Sequence, residues 1–203
     1  KPMLKVLGKP ILQHIIENSV AQGFYKFYIT TFYLADVIKN YFGDGSRFGA
    51  TITYLDEEKP LGTAGSLRFI TDSNDQPIIV TNADIITEAS FSNILDFHNK
   101  NNSFATMAVR QYEWQNPFGV VSISGQNIIG FKEKPITKEY VNAGFYVLDP
   151  KCLAYIPKNK FFDMPSLFKL LRCENKKIIA FPIYEDWIDV GRPSELKKAR
   201  DAM

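Results

Sequence analysis

The chain has 203 residues, of which 45% are hydrophobic and 23% charged, with a formal net charge of +2. This composition excludes a disordered chain, and the length predicts one sizeable domain whose core needs no disulfide or structural metal. The small, scattered basic excess argues against nucleic-acid binding. No apolar run is long enough to span a membrane, and two cysteines without disulfide or metal spacing favour a reducing cytoplasm.

The first half of the chain alternates predicted helices and strands. A helix is predicted between Pro10 and Gly23, where apolar residues recur at helical spacing. Proline suits the first turn of a helix, and glycine suits the position just after its end. The run over 77–80 is continuously apolar, as in strands covered on both faces. Strands are predicted over 24–31, 51–55, 77–80 and 105–109, and further helices over 34–42, 62–69 and 91–99. This alternation predicts a mostly parallel sheet with helices on both faces.

The second half is richer in predicted strands. A hairpin is predicted from strands over 119–124 and 128–132, which flank a Ser-Gly-Gln-Asn turn. Further strands are predicted over 141–148 and 178–182, and helices over 164–173 and 194–202. Because neither a repeat nor a linker interrupts the chain, we expect residues 1–203 to form one domain.

Asp84 directly follows the apolar strand predicted over 77–80, at the end of Asn82-Ala83-Asp84. Ligands of open α/β sheets bind beyond the carboxyl ends of the strands, so this carboxylate is a candidate ligand for a divalent cation. The alternative is that Asp84 caps the next helix or binds an amide of a turn.

Asp189 is the second candidate acid, set between apolar residues and followed by a Gly-x-Pro turn. It either nucleates that turn or converges with Asp84 on one magnesium ion, which prefers a few carboxylates together with substrate phosphate oxygens. Sequence alone leaves both readings open.

Two further segments carry residue types suited to ligands. Leu61, Gly62 and Thr63 open a short predicted helix, where small residues allow a ligand to approach the backbone. Glu133 and Lys134 end a predicted strand, and they are either solvated edge charges or groups for sugar hydroxyls and a phosphate. An amide beside a glycine, at Asn142 and Gly144, also suits hydroxyl recognition. Each of these signals is weak by itself.

Taken in order, these segments resemble the sugar-1-phosphate nucleotidyltransferase family. The resemblance covers almost the whole chain and is carried by Lys1-Pro2-Met3-Leu4 with Gly8-Lys9-Pro10, Pro60 to Gly65, Asn82-Ala83-Asp84, Gly119 with Glu133-Lys134-Pro135, Asn142-Ala143-Gly144, and Trp187 to Gly191. It implies a Rossmann-like mixed sheet with a β-rich, sugar-binding second half. It also implies transfer of a nucleotidyl group from a nucleoside triphosphate to a sugar-1-phosphate, with release of pyrophosphate.

The resemblance also implies roles for single residues. Asp84 and Asp189 would hold Mg²⁺, Lys1 would contact the α-phosphate, and Lys134 would contact the sugar phosphate. The remaining expected contacts are nucleotide contacts of Leu61, Gly62, Thr63 and Asn82, and sugar-phosphate contacts of Gly119, Glu133, Asn142 and Gly144. GTP and a mannose- or amino-sugar phosphate are weakly favoured as substrates. A homo-oligomer and an N-terminal regulatory region of CBS repeats remain open.

One departure from the family pattern concerns the position before Lys1. The family carries a glycine-rich segment there that wraps the triphosphate, and the 203 residues do not contain it. We therefore expect that the native protein has this segment upstream.

Three other readings remain open at the sequence level. A non-catalytic sugar-nucleotide-binding subunit would not need both Asp84 and Asp189. A metal-dependent glycosyltransferase usually shows a D-x-D pair, whereas Asn82-Ala83-Asp84 has one acid. A structural interaction domain would need neither aspartate for ligand binding.

Overall fold

The computed structural model describes residues 1–71 and 75–190, so the helix predicted over 194–202 lies outside the described residues. The elements of the first half are β1 (Lys5–Val6), β2 (Lys9–Pro10), α1 (Ile11–Ala21), β3 (Lys26–Thr31), α2 (Ala35–Phe42), β4 (Thr51–Asp56), α3 (Gly62–Gly65), β5 (Ile78–Thr81), β6 (Ile85–Thr87) and α4 (Phe91–Lys100). Those of the second half are β7 (Ala105–Gln115), β8 (Val120–Ser124), β9 (Asn127–Lys132), β10 (Ile136–Leu148), α5 (Met164–Cys173), β11 (Ile178–Ile183) and β12 (Trp187–Asp189). Short 3-10 helices cover Ser46–Phe48, Ser66–Phe69 and Pro150–Tyr155.

A four-stranded sheet in the order β11-β7-β10-β5 forms the centre of the fold. β11 pairs with β7 in parallel, whereas β10 pairs antiparallel with both β7 and β5. Three of the four strands therefore run in one direction and β10 runs against them. A parallel pair of β3 and β4 stands beside this sheet. The expected mixed, mostly parallel α/β sheet is confirmed.

β10 separates two layers of core, because alternate side chains of a strand point to opposite faces. Tyr146 and Leu148 pack in the hydrophobic cluster that contains Leu167 of α5. Phe145 and Val147 pack in the cluster that contains Ile94 of α4. Helices thus cover both faces of the sheet, as the sequence pattern predicts. Among the described helices, none has the length and apolar character needed to cross a bilayer.

β7 and β10 extend further than the sequence predicts. Beyond the sheet they continue as a two-stranded ribbon that pairs residues 110–115 with residues 136–141. This part of β7 is mostly exposed and carries polar side chains, so apolar patterning detects only the buried part of the strand. A bulge between Asn142 and Tyr146 marks the passage from sheet to ribbon.

The start of α5 is fixed by Asp163. Its side chain accepts a hydrogen bond from the Ser166 amide at 2.8 Å, as an N-cap residue does, and Pro165 occupies the first turn. The hydrogen bonds from Ser166 hold the pKa of the Asp163 carboxyl below its usual range. The ionised carboxylate is therefore the form that stabilises the helix.

We expect Asp163→Ala to lower the free energy of unfolding by about 1 kcal/mol at pH 7, because one amide of the first turn loses its acceptor. Since the folded-state pKa is lowered, this difference is present above about pH 4 and disappears as the pH falls through the folded-state value. Urea unfolding at a series of pH values measures it. Asp163→Asn is the matched control, since asparagine caps without titrating. Equal stability of wild type and Asp163→Ala at pH 7 would contradict the capping role.

Candidate functional site

The backbones that carry Asp84 and Asp189 are neighbours, although the two residues lie far apart in the sequence. β6 and β12 pair antiparallel with Asp189 opposite Ile85, and the amide of Val190 donates to the Asp84 carbonyl at 3.0 Å. Three-residue strands are too short for sequence patterns to detect, and neither strand was predicted. The pairing brings the backbone segments of the two candidate metal ligands side by side near the carboxyl end of β5.

Lys1 lies against Asp84. Its Nζ is 3.4 Å from Asp84 Oδ2, and the lysine side chain is 60% exposed while that of Asp84 is 24% exposed. A long, exposed ion pair of this kind contributes little to stability. Its cation and carboxylate are therefore available to a charged ligand at small cost to the fold.

Gly144 supports the segment that leads to Asp84. The Asn82 amide donates to the Gly144 carbonyl at 2.9 Å, and Gly144 has φ of +71°. A Cβ at Gly144 would lie 2.7 Å from Asn82 Nδ2 and 3.2 Å from Ile85 Cγ1. Both its conformation and its contact with Asn82 require glycine here.

Asn142 is held by hydrogen bonds on both atoms of its amide. Oδ1 accepts from the Gly144 amide at 2.9 Å, and Nδ2 donates to the Tyr146 hydroxyl at 2.7 Å. Burial raises the pKa of Tyr146, which keeps the phenol neutral. One amide hydrogen of Asn142 remains for a ligand. Tyr146 was missed by the sequence analysis because the bulge, and not a regular spacing, brings it to Asn142.

The Gly62 loop packs on residues 161–164. Gly62 has φ of +79°, and a Cβ there would lie 2.7 Å from the Phe162 carbonyl oxygen. That oxygen accepts from the amides of Ala64 and Gly65 at 3.0 Å each, and Thr63 Oγ1 accepts from the Met164 amide at 2.9 Å. The fold alone thus requires glycine at 62, and the nucleotide contacts of Leu61, Gly62 and Thr63 stay predictions.

A second group of predicted residues meets where the hairpin joins the ribbon. A Cβ at Gly119 would lie 2.9 Å from Glu133 Oε2, so the Glu133 carboxylate packs against the Gly119 backbone, where no side chain intervenes. Lys134 has φ of +41°, and its carbonyl accepts from Gln115 Nε2 at 3.3 Å. The structure therefore brings Gly119, Glu133 and Lys134 together, apart from Asp84.

Trp187 stabilises the bulge between these two groups. Its Nε1 donates to the Ala143 carbonyl at 2.8 Å, and the Arg110 guanidinium lies 5.9 Å from its ring centre. Arg110 also donates to the Glu185 carbonyl at 3.1 Å. The sequence offers no signal for Arg110, since it stands in an exposed strand without a motif.

One cavity of about 770 Å³ joins the candidate site to the interior; we call it the interstrand cavity because β3 and β5 line its two sides. Its polar mouth is lined by Lys1, Thr63, Asn82 and Asp84, and Gly62 also lines it. The other predicted residues lie outside the lining: Leu61, Gly119, Glu133, Lys134, Asn142, Gly144 and Asp189. The volume falls in the range of small-molecule sites.

Asp84 at the mouth, with Asp189 on the neighbouring backbone segment, forms a donor set of the kind that suits magnesium bound together with a substrate. The described residues contain no group of three or more histidine, cysteine, aspartate or glutamate side chains placed to hold a metal ion. Two aspartates on adjacent backbones match the one or two carboxylates that magnesium takes when phosphate oxygens and water complete its shell.

A family profile described as nucleotidyl transferase matches residues 1–203. The chain belongs to this family. A mannose-1-phosphate guanyltransferase of Debaryomyces hansenii is 30% identical over 207 residues, which cover 96% of the chain and 56% of that protein. A UTP–glucose-1-phosphate uridylyltransferase of Synechocystis is 29% identical, over 95% of the chain and 55% of that protein. The chain thus spans about half the length of these relatives.

Solved structures show the same fold at lower identity. A putative glucose-1-phosphate thymidylyltransferase from Bacillus anthracis, in complex with a sucrose, matches with a TM-score of 0.78 and 21% identity over 100% of the chain and 85% of its own. HddC from Yersinia pseudotuberculosis matches with a TM-score of 0.76 and 22% identity, over 99% and 88%. These matches confirm the fold that the sequence resemblance predicts.

We expect Gly144→Ala to destabilise the chain more than Gly125→Ala. Both glycines have positive φ, but a Cβ at Gly125 meets nothing within 4 Å. The difference, on the order of 1 kcal/mol, therefore reports the contact with Asn82. Urea unfolding of the two variants measures it.

A double variant tests the assignment to Asn82. Asn82→Ala removes the side chain that the new Cβ would meet, so it should cost less in the Gly144→Ala background than in the wild type. If the two substitutions change the free energy of unfolding additively, then backbone strain at Gly144, and not the contact with Asn82, sets the cost of Gly144→Ala.

Proposed function

We propose that the chain is the catalytic domain of a sugar-1-phosphate nucleotidyltransferase, which joins a nucleoside triphosphate to a sugar-1-phosphate and releases pyrophosphate. The observation that carries the proposal is the pairing of β6 with β12, which brings the segments of Asp84 and Asp189 together at the carboxyl end of β5. Membership of the nucleotidyl transferase family supports it.

The reaction is an attack by an oxygen of the sugar phosphate on the α-phosphorus of the triphosphate. Such a transfer needs alignment and neutralisation of charge more than covalent catalysis. Lys1 supplies a cation beside Asp84, where the α-phosphate is proposed to lie. Asn82 and Thr63 line the mouth of the cavity, and they are proposed to bind the nucleotide. Magnesium held by Asp84 and Asp189 would neutralise phosphate charge when bound.

The sugar phosphate is proposed to bind on the ribbon side. Glu133 and the free amide hydrogen of Asn142 would bind hydroxyl groups, and Lys134 would bind the phosphate. Gly119 leaves room for Glu133, and Gly144 leaves room for Asn82, since a Cβ at each position would contact that side chain. Because Asn142 is already fixed by Gly144 and Tyr146, it would meet the sugar without losing side-chain freedom.

The substrates are proposed from the relatives. Several of the most similar proteins are named mannose-1-phosphate guanyltransferases, in fungi, an animal and Mycobacterium tuberculosis, which favours GTP and a mannose- or amino-sugar phosphate. We place the reaction in the cytoplasm, because both cysteines are free thiols. A homo-oligomer and a CBS regulatory region remain part of the proposal for the whole protein.

The same proposal places the glycine-rich triphosphate segment directly upstream of Lys1. Lys1 lines the mouth of the interstrand cavity beside Asp84, so a segment that precedes it would enter at the phosphates. Loss of its oriented amide donors would cost several kcal/mol in the transition state. We therefore expect turnover only when the native upstream residues are present.

A thermal-shift screen against GDP-, UDP-, CDP- and dTDP-sugars tests the function. A ligand at 100 times its Kd adds about 2.7 kcal/mol to the free energy of unfolding, so we expect a rise in the unfolding temperature with one nucleotide family. The rise should need Mg²⁺ and vanish with EDTA. It should also be lost in Asp84→Asn.

Asp96→Asn is the matched control, because Asp96 is an exposed acid on α4 that does not line the cavity. If this variant and Asp84→Asn lose the shift equally, the proposed site is wrong. If no nucleotide sugar shifts the chain even with the native upstream residues restored, the proposed function is wrong.

A further inference from the structure

A second cavity, of about 520 Å³, lies at the end of the central sheet opposite to Asp84; we call it the amino-edge pocket. Ser103 and Phe104 of its lining directly precede β7, and Lys177 directly precedes β11. Pro77 directly precedes β5, whose four residues separate this end of the sheet from the end near Asp84 by about 13 Å. Among the described residues, Pro77 alone lines both this pocket and the interstrand cavity.

Backbone hydrogen bonds hold the walls of the amino-edge pocket in place. The Phe104 amide donates to the Lys177 carbonyl at 2.8 Å, which joins the turn before β7 to the turn before β11. The Asp149 amide donates to the Phe104 carbonyl at 2.9 Å, and the Ser103 amide donates to the His98 carbonyl at 3.1 Å. The pocket is therefore preformed, and a ligand would not have to order its walls.

Two lysines in the pocket lining carry positive charge that no described carboxylate pairs with. The Nζ of Lys176 lies 5.4 Å from the ring centre of Phe104 and 5.7 Å from that of Tyr155. The Nζ of Lys177 donates to the Asn101 carbonyl at the end of α4. This contact offsets the partial negative charge of that helix end, which would otherwise repel an anion. Each ammonium keeps further N–H donors for a ligand.

Ser103 supplies a buried hydroxyl that lacks a hydrogen-bond partner in the described part of the chain. The residue is 5% exposed and belongs to the pocket lining, yet its Oγ bonds to none of the described residues. Buried polar groups of folded proteins are nearly always paired, because an unpaired group keeps the full cost of losing its water. A ligand with an acceptor oxygen would supply the missing partner.

Hydrogen-bond donors outnumber carboxylates around the pocket. Besides the two ammonium groups and the serine hydroxyl, three asparagine side chains line it: Asn99, Asn102 and Asn175. Asp149 is the one acid of the lining, and its Oδ1 already accepts from the Lys151 amide at 2.8 Å. Such a set suits a compact anion whose oxygens accept several hydrogen bonds and pair with lysine charges.

We propose that the amino-edge pocket binds a phosphate or pyrophosphate ion, at a site separate from that of Asp84. Lys176 and Lys177 pair with the charge of the ion, and the Ser103 hydroxyl donates to one of its oxygens. The bound ion ties the turn before β7 to the turn before β11. The proposal rests on the pocket alone and does not depend on the proposed function.

Titration of the ¹⁵N-labelled chain with inorganic phosphate and, separately, with pyrophosphate tests the proposal. We expect saturable shifts of the Ser103 and Lys177 amide signals, and the anion with the lower Kd is the preferred ligand. Sodium chloride at the same ionic strength should leave these signals unchanged, because it screens charge without occupying the pocket. No saturable shift with either anion, or an equal shift with chloride, overturns the proposal.

Three single variants separate specific binding from general attraction of charge. Lys176→Met keeps an apolar stem but loses the charge, and it should raise the Kd about tenfold, whereas Ser103→Ala should raise it about fivefold. Lys169→Met, on the exposed face of α5 and outside the lining, is the matched control and should leave the Kd unchanged. Unshifted amide signals of β10 show that each variant is folded.

The site as proposed is wrong if Lys169→Met weakens binding as much as Lys176→Met does. It is also wrong if Ser103→Ala binds the ion as tightly as the wild type.

The surface beside Lys1 is the competing location for a phosphate. Lys1→Ala should leave the shifts of Ser103 and Lys177 intact. An ion bound only beside Lys1 would shift the amides of Asp84 and Val190 instead, and that result overturns the proposal. Since these titrations contain no nucleotide, failure of this proposal and failure of the proposed function are distinguishable.

Discussion

The pairing of β10 on both of its edges is the constraint on which the candidate site depends. β10 bonds to β7 on one side and to β5 on the other, and its alternate side chains enter both layers of core. A slip of one residue would turn every side chain of β10 to the opposite face of the sheet. Phe145 and Val147 would then enter the layer that Tyr146 and Leu148 now occupy. Its register therefore fixes Gly144 opposite Asn82, and through Asn82 the position of Asp84.

The neutral side chains of the candidate site are held firmly, whereas its charged side chains are held loosely. Asn142 and Asn82 are fixed by buried or half-buried hydrogen bonds to backbone and to Tyr146. Lys1 and Asp84 share a long, exposed ion pair. The neutral side chains are thus pre-organised, whereas Lys1 and Asp84 can separate to meet a charged ligand without leaving a buried charge unpaired.

The sequence predicted the elements with strong patterns and missed those made by pairing. The helix over 164–173 was predicted with its observed bounds, because proline, an N-cap and an apolar stripe all mark it. The pairing of β6 with β12 could not be predicted, because segments of three residues are too short to show a strand pattern. The motif order identified the family, but composition could not show that Gly62 is needed by the Phe162 carbonyl, or that Tyr146 holds Asn142. Those facts depend on contacts between distant segments.

The bulge in β10 divides the second half into a part that is tied to the sheet and a part that is not. On the sheet side, Gly144 and Trp187 lock the backbone. On the far side, the ribbon leads to the hairpin of β8 and β9, whose turn at Gly125 is exposed and leaves open space where a Cβ would stand. Residues can therefore be inserted or removed at that turn while Asp84 and Asn142 keep their positions. Relatives could diverge in the length of this hairpin, and so in how far it extends over the neighbouring surface, without rebuilding the sheet that holds Asp84 and Asn142.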